Sequence, residues 1–295
     1  MKRIGIDLGG TKTEIILTQE NVLNVIKRKR VATNRDKGYA WIVELVANLI
    51  NGYKPLIDEE YVIGMAIPGS IAPQTGLVQS ANTTVLIGHP LKQDLEALVD
   101  HEVLLENDAN CFALSEAILG AGQGKEMVLG IIMGTGMGGG IVHKGRIWRG
   151  IHNNAGEWGH TCLDFEGPEC WCGQKGCMEL YLSGIGVQRI YQEYTGKRKS
   201  LQEIYRNYEA GKDQHAQKTI TDFVHYFGRC MANLINIFDP NILVIGGGVS
   251  NLPILYKAGQ ESTNRQLFNT KLPVPIVKNK LGDSSGIYGA AILAG

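Results

Sequence analysis

Ile6-Asp7-Leu8-Gly9-Gly10-Thr11-Lys12-Thr13-Glu14-Ile15-Ile16-Leu17 can be laid over Ile131-Ile132-Met133-Gly134-Thr135-Gly136-Met137-Gly138-Gly139-Gly140-Ile141-Val142. In both stretches an apolar strand runs into a glycine turn and a second strand returns. The match predicts a duplicated α/β unit. Backbone N–H groups in a glycine turn can cradle phosphate oxygens. Two such turns facing across a cleft can hold one nucleotide's phosphates from both sides. The copies differ where the first has Asp7 and the second Ile132. Asp7 at a strand end suits a magnesium ion, which takes few carboxylates beside phosphates. Read alone, the first copy is equally an ordinary hairpin with a solvated aspartate.

The second copy also contains a formal G-x-G-x-x-G from Gly134 to Gly139. A dinucleotide fingerprint needs a helix to open at those glycines. Here Gly140-Ile141-Val142 continues as a strand, so that reading is rejected. No G-x-x-x-x-G-K-[ST] occurs in the chain either.

Outward from the two turns, the 295 residues allow one large or two medium domains. Lys+Arg and Asp+Glu are both 29, so the formal net charge is zero. That balance argues against a general nucleic-acid binder, which needs a basic footprint. No apolar run of about 18 residues predicts a membrane span. Asp7 and Gly9-Gly10 interrupt any signal-like core after Met1-Lys2-Arg3. A cytoplasmic protein is expected.

Helical spacing marks 41–49, 91–99 and 215–238, and strands are expected at 61–67, 103–105 and 242–245. A helix is expected from Glu179 to Tyr194, another over 201–211, and a small-residue helix over 286–293. Pro68-Gly69-Ser70 ends one strand, and a polar loop runs through Ser80-Ala81-Asn82-Thr83-Thr84. Loops after strand ends suit ligand binding in open α/β sheets. Asn107-Asp108 follows another strand. Asp108 has two readings there: an N-cap for the next helix, or a general base at a strand tip. Gly246-Gly247-Gly248, at a third strand end, either lets a flat ligand such as adenine approach the backbone or makes a tight junction.

The segment 156–179 holds four of the six cysteines. His160, Cys170, Cys172 and Cys177 are a usual ligand complement for tetrahedral zinc. Cys162 is the rival ligand. Cys111 and Cys230 lie in apolar surroundings and are expected in the core. Glu157 and Glu179 bracket the cluster, so a metal there fixes the backbone that carries both carboxylates.

These motifs, in this order and spacing, resemble the ROK family (repressors, open reading frames and sugar kinases). The resemblance spans nearly the whole chain and is most specific from His160 to Cys177. It implies a duplicated actin-like ATPase (ribonuclease H-like) fold: an α/β protein of two domains with an interdomain cleft and a zinc-braced segment. The expected division is 1–117, joined by the C-terminal helix 286–295, and 118–285. The resemblance further implies ATP-dependent phosphorylation of a hexose hydroxyl, with Mg2+, structural Zn2+ and a homodimer. On this likeness Asp108 is the catalytic base. Gly69, Asn82, Asn107, Glu157, His160 and Glu179 bind the sugar, His160 serving metal and sugar with different nitrogens. Gly9, Gly10, Thr11, Lys12, Gly134, Thr135, Gly136, Gly138, Gly139, Gly140 and Gly246 to Gly248 join Asp7 at the nucleotide.

A repressor of this family carries an additional N-terminal helix-turn-helix. The first strand here starts at Arg3, so an enzyme is expected. Ile67 to Pro73, Ser80 to Thr84, Glu157 to His160 and Gly282 to Gly286 most resemble the fructokinase (manno-fructokinase) branch, with the N-acetylglucosamine kinase branch next. The expectation is transfer to the 6-hydroxyl of fructose, with mannose or glucose weaker.

Overall fold

Ile4, Ile6 and Leu8 are buried on one face of strand β1 (Lys2–Leu8). They pack with Ile42, Val46 and Ile50 of helix α1 (Tyr39–Asn51). Full burial of each such side chain contributes roughly 1.5–3 kcal/mol. In the computed structural model, which describes residues 1–269 and 273–293, β1 lies in the middle of a five-stranded sheet. Its order is β3-β2-β1-β4-β7, with β2 (Lys12–Thr18), β3 (Val25–Ala32), β4 (Tyr61–Ile67) and β7 (Val103–Asn107). The short hairpin β5 (Ser70–Ile71) and β6 (Val78–Gln79) lies between β4 and β7 in sequence. β1 runs antiparallel to β2 and parallel to β4, which runs parallel to β7.

The opposite sheet face receives helix α9 (Ser285–Ile292). It approaches so closely that a Cβ on Gly64 would sit 1.9 Å from the Ala290 carbonyl oxygen. The glycine is therefore required by packing, and small residues in α9 answer it. Positions 294 and 295 of the expected C-terminal helix lie outside the described residues.

The same plan recurs downstream. β8 (Met127–Met133) runs antiparallel to β9 (Met137–His143) and parallel to β11 (Ile242–Gly246), which runs parallel to β12 (Ile276–Lys278). Asp7 and Ile132 are each the next-to-last residue of the first strand of their copy. Helix α7 (Gln214–Phe238) buries Ile220, Phe223, Phe227, Met231 and Leu234. Asp213 caps its first turn by accepting from the His215 and Ala216 N–H groups.

The chain divides into two compact units: Met1–Leu119, Gly145–Ala155 and Leu281–Gly295 in one, Gly120–Lys144 and Gly156–Lys280 in the other. The segment 145–155, expected with the second domain, thus belongs to the first. It is tied there by the Arg149–Glu106 ion pair and by Asn153 Nδ2, which donates to the Ile71 carbonyl at 2.8 Å. The expected helix from Glu179 to Tyr194 is two helices, α4 (Glu179–Leu182) and α5 (Gly184–Thr195). Ser183 takes extended backbone and caps α5 through its side chain, so the apolar spacing continues but the helix does not.

Candidate active site

In the first unit the tip of β7 carries Glu106, Asn107 and then Asp108, the first residue of helix α3 (Asp108–Ile118). The cap is Asn107, one residue earlier than the cap reading of the sequence. Its Oδ1 accepts from the Ala109 and Asn110 N–H groups at 2.9 and 3.2 Å. Its Nδ2 donates to the Gly69 carbonyl at 3.0 Å and to Asp108 Oδ1 at 3.2 Å. Asp108 Oδ1 also accepts from Ala109 N–H at 2.8 Å. Asp108 is half-buried. Hydrogen bonds gathered on Oδ1 orient the carboxylate, and the helix N-terminus favours negative charge there. Gly69, Asn107 and Asp108 are brought together. Asn82 is exposed, beside Ala81, which packs against Gly69.

Glu106 behind this tip was not legible as a functional residue. It is 6% exposed and accepts from Asn107 N–H and Asn110 Nδ2 through Oε1 and from Arg149 through Oε2. Its partner Arg149 lies 43 residues away in sequence, so no local pattern announces the pair.

The first glycine turn is closed by Gly9 N–H donating to the Lys12 carbonyl at 3.0 Å. Thr33 Oγ1 donates to the Gly9 carbonyl at 2.7 Å, and Thr33 N–H donates to Thr11. Burial, and then the neighbouring Glu14, push the Asp7 carboxyl up to about 6. Burial also raises Glu14, but hydrogen bonds from Arg28 and Arg30 outweigh it and hold Glu14 below the usual range. A group displaced this far by its surroundings is a functional candidate, and a cation beside it would restore the carboxylate.

In the second unit the turn proper is Gly134-Thr135-Gly136, closed by Gly134 N–H on the Gly136 carbonyl at 2.9 Å. Glu179 reaches this turn and accepts from Met137 N–H at 2.8 Å. A Cβ on Gly136 would lie 2.5 Å from the same carboxylate oxygen, so a larger residue there would push the carboxylate aside. Gly138, Gly139 and Gly140 lie within β9 rather than at the turn. Gly139 faces the Trp158 ring, so the absence of its side chain is a packing requirement. A cavity of about 310 Å³ is lined by Gly134, Thr135, Gly184, Gln188, Leu201 and Gly248, among others. It lies between the second turn and Gly248, just after β11; Gly246 and Gly247 are not in its lining. Gln188 and Leu201 come from α5 and helix α6 (Leu201–Glu209), and nothing in their local sequence marks them.

His160, Cys170, Cys172 and Cys177 bring one donor atom each to within 4.8 Å of one another. Cys172 Sγ and Cys177 Sγ are 3.6 Å apart, and Cys170 Sγ is 3.7 Å from His160 Nδ1. Zinc bonds of about 2.0–2.3 Å place tetrahedral ligands roughly 3.4–3.8 Å apart, so both edges fit. Burial and the neighbouring thiols push Cys177 up to about 12, an arrangement that a cation relieves. Cys162 is exposed and outside the cluster; Cys111 and Cys230 are buried, as expected. Glu157 is exposed just before the short helical turn Trp158–His160.

Among the described residues no helix is long and apolar enough to cross a membrane. The ROK family model matches residues 3–295. The chain is 38% identical over 299 residues to the N-acetyl-D-glucosamine kinase of Vibrio cholerae, covering 98% of both chains. It is 36% identical over 303 residues to the N-acetyl-D-glucosamine kinase of Vibrio atlanticus, again with 98% of both covered. Among solved structures it superposes on the ROK hexokinase from Thermus thermophilus with a TM-score of 0.88 at 32% identity, covering 99% of this chain and 97% of that one. The ROK family glucokinase from Streptomyces griseus in complex with glucose and AMPPNP gives 0.81 at 29% identity, with 99% of both covered.

Proposed function

This chain belongs to the ROK family and is an ATP-dependent sugar kinase with the actin-like ATPase fold; from that premise we propose that its acceptor is the 6-hydroxyl of N-acetyl-D-glucosamine. The observation that carries the sugar is the likeness to N-acetyl-D-glucosamine kinases along 98% of both chains. It moves the reading away from fructose, which rested on short loop motifs.

In this reading Asp108 accepts the proton of the 6-hydroxyl as its oxygen forms a bond to the γ-phosphorus and the bond to the β-phosphate bridge breaks. Such a base supplies about 10²–10⁴ in rate. Asn107 positions Asp108 through the Nδ2 contact and, with Gly69, Asn82, Glu157, His160 and Glu179, binds acceptor hydroxyls and the acetamide. Several convergent polar groups are what orient a small polar ligand. The first turn, Gly9 to Lys12, and the second, Gly134 to Gly136, offer backbone N–H groups to the phosphates. Gly246 to Gly248 leave room for the base.

Asp7 would hold Mg2+, which neutralises phosphate charge when bound. His160 through Nδ1, Cys170, Cys172 and Cys177 would hold Zn2+, which braces the backbone carrying Trp171 and the approach to Glu179. This leaves His160 Nε2 for the sugar.

A coupled ADP-release assay over N-acetylglucosamine, glucose, mannose and fructose tests the assignment. N-acetylglucosamine should show the highest kcat/KM, by about tenfold or more, the discrimination that one extra set of polar contacts supplies. A preference for fructose would return the acceptor to the earlier reading.

A further inference from the structure

Trp171 stands between two candidate metal ligands, Cys170 and Cys172, and is 74% exposed. An exposed indole is ordinarily free to turn, but this one is fixed at two points. Its Nε1–H donates to Glu179 Oε1 at 2.9 Å. Its ring stands edge-on to the His160 imidazole, with centroids 4.8 Å apart and planes at 90°. Glu179 is fixed in turn through its other oxygen on Met137 N–H. Trp171, His160 and Glu179 therefore form one unit: an outward apolar ring beside two polar groups. Small-ligand sites have this make-up, an aromatic wall with a few placed polar groups. Tryptophan suits it because a large rigid apolar face comes with a single N–H.

We propose that Trp171 is an acceptor-binding residue. Its exposed face covers the C–H face of the hexose ring, while its N–H holds Glu179 in the orientation that accepts sugar hydroxyls. The inference rests on the kinase reading above and deepens its sugar site. It gives the metal cluster a route to the sugar: ligand cysteines on both sides set the indole, and the indole sets the glutamate. Glu179 meets the second glycine turn through its other oxygen, on Met137 N–H, a bond that does not involve Trp171.

The test uses the full-length, metal-loaded protein as wild type, Trp171→Phe and Trp171→Ala, with metal content measured for each. Sugar is titrated without nucleotide while tryptophan fluorescence is followed, and steady-state kinetics are measured by ADP release. The wild-type emission should change on adding N-acetylglucosamine, and Trp171→Phe should lose that change. The KM for the sugar should rise several-fold in Trp171→Phe, which keeps a ring but loses the charge-assisted hydrogen bond, and about tenfold to a hundredfold in Trp171→Ala. The KM for ATP should move less than about threefold, since uniform loss of sugar binding raises only its own KM. If Trp171→Ala loses metal, Trp171→Phe alone decides.

A sugar KM within about twofold of wild type, with the fluorescence change retained in Trp171→Phe, overturns the proposal. Should wild type prefer another hexose, the acceptor assignment fails by itself. The same variants measured with that hexose then judge Trp171 separately.

Discussion

At the end of β1 the chain places Asp7, and at the matching place in β8 it places Ile132. Around the first turn the environment is ionic: Asp7 is pushed up to about 6, with Glu14 nearby bound by Arg28 and Arg30. Around the second it is backbone and cavity. Met137 N–H meets Glu179, Gly184 N–H donates to Gly134, and about 310 Å³ opens beside Gly134 and Gly248. The two copies keep one backbone plan while their side chains have gone different ways. In the proposed division, the first turn carries the charge for a metal and the second the room for a nucleotide.

The largest effect should come from a residue outside both turns. Asp108→Asn should lower kcat by about a thousandfold while leaving nucleotide affinity and the melting curve nearly unchanged. Retention of a tenth of wild-type turnover in a steady-state assay would remove Asp108 from the base role. Next come the paired positions. Asp7→Asn should lower kcat/KM for Mg·ATP by about a hundredfold, the scale of losing a charge stabiliser. Ile132→Val should change it by less than about threefold, since it removes one methylene from a half-buried side chain that carries no charge. Comparable losses in both variants would mean that the copies share the metal's work.

Cys172→Ser should release the metal and raise the sugar KM, because His160 and Trp171 lose their brace. The melting temperature should fall by several degrees, as loss of about 2–4 kcal/mol implies. Metal analysis and calorimetry on one sample check this; unchanged metal and melting would refute the ligand set.

The smallest effect concerns Asp7 in protein without nucleotide or metal. Its folded-state value lies above its unfolded one, so the charged carboxylate destabilises the fold above about pH 6. That destabilisation is relieved as pH falls from about 6 toward 4. Asp7→Asn should then raise the melting temperature by roughly 3–6 °C at pH 7.5 and by almost nothing at pH 4. A constant gap across that range would point to packing rather than titration.

Much of the frame was legible because it is periodic. Strand 61–67 and the stripe of α7 follow from spacing alone, and the overlay of the two turns anticipated the repeated sheet order. What was hidden is non-local or a local competition. The break at Ser183 is a serine side chain winning the Gly186 N–H while the apolar pattern runs on. Glu106 reads as one more charge until Arg149 arrives from 43 residues away. Asn107 and Asp108 both suit a cap, and only the extended backbone at Asn107 assigns it. Within the run Gly134 to Gly140, the sequence could not separate glycines that make the turn from Gly139, which yields to Trp158. The acceptor depends on pocket shape, where one hydroxyl or acetamide changes affinity without changing the motif.

The division of labour between the turns is tested most directly by calorimetric binding of AMPPNP with and without Mg2+, in wild type and Asp7→Asn. The account predicts that magnesium tightens binding to wild type, that Asp7→Asn loses this gain, and that metal-free affinity stays within about threefold in both. A magnesium gain that survives in Asp7→Asn would contradict it, as would a collapse of metal-free binding.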